Sequence, residues 1–113
     1  MELLMIIINK EEYFEKILSI LVGLGVPGAT ILDSQGMGQF LAYEVPLFAG
    51  LRQVIGERRS LNKTIMTLIE DKEFFIKLKQ TLEEEYIDFT QPGMGIIFTL
   101  PVHNVIKSID EIC

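Results

Sequence analysis

The order of the apolar segments constrains the fold of this chain more than any other feature of its sequence. Four short apolar runs, each typical of a β-strand, are separated by two stretches in which apolar residues recur at helical spacing. The resulting order, strand–helix–strand–strand–helix–strand, is that of the split βαβ arrangement. We therefore predict an α+β fold, a ferredoxin-like βαββαβ sandwich in which a four-stranded antiparallel sheet carries two helices on one face.

Local signals set the expected boundaries of these elements. Apolar runs rich in β-branched residues predict strands over residues 3–8, 29–35, 63–69 and 96–100. Asn9 is the predicted N-cap of the first helix, which Gly25 ends, and the second helix is predicted to start at Asp71. Residues 102–112 form a short tail, helical or irregular. The apolar faces of the two helices are Phe14, Ile17, Leu18 and Leu21, and Phe74, Phe75, Leu78, Leu82 and Tyr86.

The apolar content of the chain exceeds what two helices on one sheet can cover. The 113 residues correspond to a single domain, residues 1–113, which can bury one core. Hydrophobic residues make up 49% of the chain and the mean hydropathy is +0.34, which is high for a monomer of this size. Since both helices lie on one face, we expect the open face to pack against other subunits.

Charge and cysteine content disfavour several classes of protein. A net charge of −6 with a pI near 4.7 repels nucleic acid and anionic membrane surfaces. No apolar run approaches the roughly 18 residues of a membrane span, and residues 1–8 lack the basic segment of a signal peptide. The only cysteine, Cys113, has no partner for a disulfide within the chain, so we predict a cytoplasmic protein. An RNA-recognition domain is disfavoured because the first and third predicted strands contain no aromatic residue.

The connection between the second and third strands, about residues 36–62, is far longer than a hairpin requires. All three arginines of the chain, Arg52, Arg58 and Arg59, lie in this long loop. Pro46 is predicted to open a helix that ends near Gly56. We predict that the apolar residues of this helix bind a protein partner. They are Leu47, Phe48, Leu51, Val54 and Ile55.

Two glycine turns are the strongest indication of a ligand. Gly36-Met37-Gly38 follows the second predicted strand and Gly93-Met94-Gly95 precedes the fourth, and such turns can present several backbone N–H groups to an anion. Turn geometry alone explains either one. Their pairing at sheet ends, with arginines close in sequence, favours a phosphate-bearing ligand.

No catalytic or metal-binding residue is predicted. The only histidine, His103, has no cysteine or carboxylate motif around it, and a serine or threonine nucleophile would lack a second histidine as its base. Adjacent carboxylates on a helix, such as Glu83 to Glu85, point in different directions and are typical of a solvated surface. The sequence therefore predicts ligand sensing rather than catalysis.

The order and spacing of these segments resemble those of the PII-type nitrogen regulatory proteins over nearly the whole chain. The matching segments are Gly25 to Thr30, Gly36 to Gly38, Lys63 to Ile65 and Gly93 to Phe98. The resemblance implies a homotrimer whose sheets line a central core, effector binding in clefts between subunits, and a long loop that engages partner proteins. In nucleotide-binding members both glycine turns close the cleft and the adenine lies near a threonine equivalent to Thr30. An adenine nucleotide is therefore the candidate effector, with no further cofactor implied.

The chain departs from the nucleotide-binding members at its second glycine turn. Those proteins read Gly-Asp-Gly-Lys there, whereas Ile96 replaces the lysine in this chain. We expect Arg58, Arg59 or Lys107 to supply the missing charge. The complete predicted effector site is Thr30, Gly36, Met37, Gly38, Arg58, Arg59, Gly93, Met94, Gly95 and Lys107.

Three hypotheses for function follow from the sequence. The first is a PII-like trimeric sensor that binds a small effector and signals through its long loop to a target protein. The second is an effector-independent interaction module that docks the apolar residues of the loop on a partner. The third is a divalent-cation-binding relative of the same trimeric fold, which the lack of a cluster of histidine and cysteine disfavours.

Overall fold

The computed structural model describes residues 1–51, 62–70 and 72–108. Its four strands are β1 (Glu2–Ile8), β2 (Thr30–Ser34), β3 (Asn62–Ile69) and β4 (Gly95–Pro101). The α-helices are α1 (Phe14–Gly23), α2 (Met37–Glu44) and α3 (Lys72–Glu84), with 3-10 segments at Glu11–Tyr13 and Pro46–Leu51. The strands form one antiparallel sheet in the order β2-β3-β1-β4. The predicted ferredoxin-like fold is confirmed, with α2 as an additional helix in the long loop.

Strand β1 lies inside the sheet because it is apolar on both faces. Leu4, Ile6 and Ile8 are buried on the face that the helices cover, and the register pairs Ile6 with Ile65 of β3 and Ile97 of β4. The core joins these positions to apolar residues of α1 and α3. Its helical members with the least exposure are Ile17, Ile20, Leu21, Leu78 and Leu82. Alternate residues of β1, β3 and β4 therefore hold both helices on one side of the sheet.

The opposite side of the sheet, which we call the open face, is also apolar. Side chains alternate between faces along each strand, and the pairing register places nine apolar residues together on this side. They are Leu3, Met5, Ile7, Leu32, Met66, Leu68, Ile96, Phe98 and Leu100. Ile96, Leu100 and Leu32 are 52%, 48% and 47% exposed. The surplus of apolar residues in the sequence is thus concentrated on one surface.

Both long helices end in the same hydrogen-bonding pattern. The N–H of Gly25 bonds to the carbonyl of Val22 and that of Val26 to Leu21, and the same pair of bonds recurs after α3, from Tyr86 to Glu83 and from Ile87 to Leu82. This is the Schellman motif, which requires a left-handed residue after the helix. Gly25 adopts it at the end of α1 (φ 90°) and Tyr86 at the end of α3 (φ 58°).

The prediction that Tyr86 belongs to the apolar face of the second helix is wrong. Because the chain turns left-handed at this residue, the side chain points to solvent and is 92% exposed. Ile87, one residue later, is only 4% exposed and closes the core instead.

The start of the first helix also differs from the prediction. The chain enters α1 through the 3-10 turn Glu11–Tyr13, whose N-cap is Lys10 and not Asn9. The N–H of Asn9 donates to the carbonyl of Met94 (2.9 Å), so this residue continues the sheet contact of β1. The predicted capping residue is therefore occupied in joining β1 to the segment before β4.

The long loop contains a helix that the sequence did not indicate. Gly36 is the N-cap of α2, and its carbonyl accepts a hydrogen bond from the N–H of Phe40 (3.0 Å). The predicted helix from Pro46 is a 3-10 segment over residues 46–51, with a non-helical residue at Phe48 (φ −104°, ψ 15°). Pro46 does open it, as predicted. The rest of that predicted helix, to Gly56, lies outside the described residues.

Candidate functional site

The two glycine segments lie at the same end of the sheet but on opposite edges. Gly36 follows β2, whose last residue Ser34 pairs with Asn62 of β3, and Gly95 starts β4 opposite Ile8 of β1. Strands β2 and β4 are the two edge strands, so three inter-strand spacings of about 4.8 Å, or ~14 Å, separate the two segments. A single chain therefore does not bring both segments around one small ligand.

The first glycine segment is the beginning of a helix and not a free turn. Met37 and Gly38 form the first turn of α2 after the N-cap Gly36, and Met37 is 78% exposed. The first N–H groups of a helix have no acceptor inside it. The first turn of α2 can therefore present backbone N–H groups to a ligand, although it is the start of a helix and not the expected glycine turn.

The second glycine segment is fixed by the strand beside it. Gly93 and Gly95 have φ angles of 80° and 133°, and a Cβ on Gly95 would lie 1.9 Å from the carbonyl oxygen of Ile7. Met94 is only 3% exposed, and its N–H already donates to the carbonyl of Gln91 (3.3 Å). The side chain of Met94 thus packs in the core, and an effector contact from this segment would come from the glycines beside it.

Thr30 and Lys107, two of the predicted effector residues, line one cavity of about 310 Å³. Its other walls are Leu3, Pro27, Gly28, Ala29, Met66, Thr67, Leu68 and Ser108. The hydroxyl of Thr67 donates to the carbonyl of Gly28 (2.6 Å), which fixes the loop before β2 against β3. Two residues that are distant in sequence thus line one cavity, at the opposite end of β2 from Gly36, whereas Arg58 and Arg59 lie outside the described residues.

Polar contacts between β2 and β3 hold the start of α2 in place. The hydroxyls of Ser34 and Thr64 are 2.7 Å apart, and the Ser34 hydroxyl also donates to the carbonyl of Asn62 (3.3 Å). Next to them, Lys63 forms an ion pair with Asp33, and this hydrogen bond raises the pKa of the Lys63 ammonium. These contacts position the end of β2, and with it the first turn of α2.

Gln39 is a candidate site residue that the sequence did not predict. Its Oε1 atom is buried and has no hydrogen-bond partner among the described residues. A buried amide oxygen without a donor is unfavourable by about 1–3 kcal/mol. A ligand or a second chain could supply the donor that the described residues do not provide.

The predicted partner-binding residues are exposed where the structure describes them. Leu47 is 85% exposed, Phe48 is 38% exposed, and Leu51 is partly buried, whereas Val54 and Ile55 lie outside the described residues. On the neighbouring helix α2, Met37 and Phe40 are 78% and 47% exposed. We call the described exposed set, Met37, Phe40, Leu47 and Phe48, the loop apolar surface.

A second cavity, of about 370 Å³, lies between α3 and the edge strand β4. Its walls are mainly apolar and include Phe75, Leu82 and Phe89. At its rim, Asp88 accepts hydrogen bonds from the N–H (2.8 Å) and hydroxyl (2.6 Å) of Thr90, which lower the pKa of the Asp88 carboxyl. This cavity could not be predicted from the sequence, because it forms only where the turn after α3 meets β4.

A model of the family described as nitrogen regulatory protein P-II matches residues 1–111. The chain belongs to this family. Among solved structures, PII of Arabidopsis thaliana bound to citrate is 21% identical, with a TM-score of 0.58, 94% of this chain and 80% of that chain covered. CPII of Thiomonas intermedia K12, bound to ADP, AMP and acetate, is 18% identical, with a TM-score of 0.53, 87% of this chain and 81% of that chain covered. These likenesses support the P-II fold, and no curated protein matches the sequence.

Two further observations concern the described part of the chain. None of its helices is long and apolar enough to cross a membrane. No group of three or more histidine, cysteine, aspartate or glutamate side chains within it is arranged to hold a metal ion. The third hypothesis, a divalent-cation-binding relative, thus has no supporting site among residues 1–51, 62–70 and 72–108.

Proposed function

We propose that this P-II family signalling protein acts as a homotrimer that binds a small phosphate-bearing effector in clefts between its subunits. An adenine nucleotide is the first candidate, because the related CPII binds ADP and AMP. The effector state would reach a target protein through the long loop, residues 36–62. The role is regulatory and involves no catalytic step.

The observation that carries this proposal is the open face together with the position of the glycine segments. Nine apolar side chains on an uncovered sheet favour burial against other copies of the chain. In a closed ring, one edge of each sheet meets the opposite edge of the next. The β2 edge of one subunit then lies beside the β4 edge of its neighbour, which joins two glycine segments that are ~14 Å apart in one chain.

The assembly is tested by mass. Native mass spectrometry of the purified chain should give a species of three times 12.9 kDa. Leu100→Lys places a charge on the open face at a residue that is already 48% exposed, so the subunit should still fold but no longer assemble. Ile76→Lys, at a 55% exposed position of α3, is the matched control and should stay trimeric. A monomeric wild-type chain would refute the proposed assembly.

The effector is tested by thermal shift at fixed protein concentration. The panel consists of ATP, ADP, AMP, cyclic nucleotides, 2-oxoglutarate, citrate, bicarbonate and S-adenosylmethionine, each with and without magnesium. A ligand at 100 times its Kd stabilises the folded chain by about 2.7 kcal/mol, which corresponds to several degrees for a domain of this size. An unchanged Tm across the panel would argue against effector binding.

The loop apolar surface favours a second function, an effector-independent interaction module. Leu47 and Met37 expose 85% and 78% of their surface, although large apolar side chains are stabilised by burial. Under this alternative, no ligand of the panel changes the Tm, and Leu47→Asp leaves the trimer intact but abolishes binding to the target protein. An effector that changes the affinity of the trimer for that target would favour the sensor instead.

A further inference from the structure

We propose that Lys10 binds the phosphate of the effector at the second glycine segment and replaces the cation that Ile96 does not provide. The aliphatic part of its side chain lies beside Gly93, with Cε 4.0 Å from the position that a Cβ on this glycine would occupy. The ammonium is one bond further along. This inference rests on the proposed function, since it assigns a residue of the same cleft.

The backbone around Lys10 is held on both sides. On one side, the N–H of Asn9 donates to the carbonyl of Met94 (2.9 Å), and Ile8 pairs with Gly95 in the sheet. On the other side, the carbonyl of Lys10 accepts a hydrogen bond from the N–H of Tyr13 (3.1 Å). The backbone of Lys10 is thus fixed next to the glycine segment before any ligand binds, so that only the side chain has to be ordered on binding.

The charge of Lys10 is available to a ligand. Its side chain is exposed, and Lys10 forms no ion pair among the described residues. By contrast, Lys16 is bound to Glu85 (2.7 Å) and Lys63 to Asp33. Within the described part of the chain, Lys10 is therefore a cation without a carboxylate partner, and it lies at the end of the sheet where the glycine segments are.

Local stability does not explain why a lysine occupies position 10. It is the N-cap of the 3-10 turn that leads into α1 and makes no side-chain capping bond there. Serine, threonine, aspartate and asparagine are preferred at such positions, and a positive charge near a helix N-terminus is the less favourable sign. A lysine at this position therefore has little value for local stability, whereas an ammonium beside a glycine segment suits a phosphate.

The test compares ADP with adenosine, which lacks the phosphates, by isothermal titration calorimetry of the full chain. Wild type should bind ADP more tightly than adenosine, and Lys10→Gln should lower the affinity for ADP about tenfold while leaving that for adenosine unchanged. Lys77→Gln removes the same charge from an exposed position on α3 and should retain the wild-type preference. Lys10→Ser should not lower the Tm, since serine is a better N-cap.

Each outcome decides between the proposals. If wild type binds ADP and adenosine equally, or if Lys10→Gln keeps the preference for ADP, the assignment of Lys10 is wrong while effector binding stands. If wild type binds neither compound, nucleotide binding fails and the assignment fails with it. As a second readout, ADP should protect Lys10 but not Lys77 from acetylation, measured by peptide mass spectrometry. Equal modification of Lys10 with and without ADP would overturn the assignment.

Discussion

Replacing Gly95 by alanine should disrupt the fold at the end of the sheet that we assign to the effector. The new Cβ would lie 1.9 Å from the carbonyl oxygen of Ile7 and 2.9 Å from its carbonyl carbon, both backbone atoms of β1. Real Cβ contacts are essentially never closer than 3.0 Å, so the strands would have to separate by about 1 Å. The φ of 133° is an additional strain for any residue with a side chain.

The magnitude follows from these two effects. Holding a non-glycine residue in a sparsely populated backbone region costs about 1–3 kcal/mol, and forcing an extra carbon into a packed contact costs about 1–3 kcal/mol more. A loss of ~2–6 kcal/mol is a large part of the 5–15 kcal/mol that stabilises a typical domain. The Tm should therefore fall by at least about 8 °C, with a weakened contact between β1 and β4.

The assay is thermal unfolding at fixed protein concentration, with Gly23→Ala as the matched control. Gly23 lies in the last turn of α1, and a Cβ there would meet nothing within 4 Å. The same substitution should stabilise the chain at this position by about 0.5–1 kcal/mol, because alanine is the better helix former. A Gly95→Ala variant as stable as wild type would refute the close approach of β1 to the glycine segment and, with it, the placement of Lys10.

Three further predictions concern single contacts. Tyr86→Gly should raise the Tm by a few degrees, because the left-handed backbone at this exposed position strains a residue with a side chain by about 1–2 kcal/mol and does not strain glycine. A lower Tm would contradict the Schellman motif at the end of α3. Thr67→Val should lower the free energy of unfolding by about 1 kcal/mol in denaturant, because it removes the hydrogen bond to the carbonyl of Gly28. An unchanged free energy of unfolding would contradict a contribution from this bond. Thr90→Val should raise the pKa of Asp88 in NMR titration. Because the pKa of Asp88 is lowered in the folded state, the stabilisation of the fold by its ionised carboxylate is present above about pH 4 and is lost as the pH falls. An unchanged pKa of Asp88 in the variant would show that the Thr90 hydroxyl does not cause the shift.

Most of the fold could be predicted because its signals are local. The run from Leu3 to Ile8 is apolar at every position, which indicates a central strand covered on at least one face, and β1 does lie inside the sheet. Helical spacing identified Ile17, Leu21, Leu78 and Leu82 as core residues. The open face followed from counting layers, since two helices on one side leave the other side bare.

The departures from prediction have physical reasons. Gly36 and Gly38 indicated a turn, but glycine also serves as an N-cap, and the following Gln39, Leu41 and Ala42 are good helix formers that outweigh the cost of Gly38. Tyr86 has the spacing of a core residue, and only the hydrogen bonds after α3 identify it as the left-handed terminator. These features depend on how the chain leaves an element, which periodicity does not encode.

The sequence could indicate only some of the residues that we propose for the effector site, and the reason is topological. Thr30 and Lys107 could be named because each lies in or beside a recognisable segment, and both line one cavity. Lys10 could not be proposed from the sequence, because it comes close to the glycine segment only when β1 and β4 pair and Asn9 contacts Met94. A contact between residues so far apart in sequence is set by the sheet and has no local signature.

An apolar Ile96 in place of a lysine, with Lys10 nearby, is consistent with both the proposed trimer and the proposed phosphate contact. Ile96 pairs with Ile7 and lies on the open face, where it is 52% exposed and extends the apolar surface toward the glycine segment. A lysine at this position would place a charge at the edge of a surface that we propose to be buried between subunits, which is unfavourable unless the charge is paired. Lys10 approaches the same segment from the loop after β1, outside the strand residues that form the open face. The chain can therefore keep an apolar trimer surface and a cation for phosphate at the same glycine segment, because we assign the first to strand residues and the second to the loop after β1.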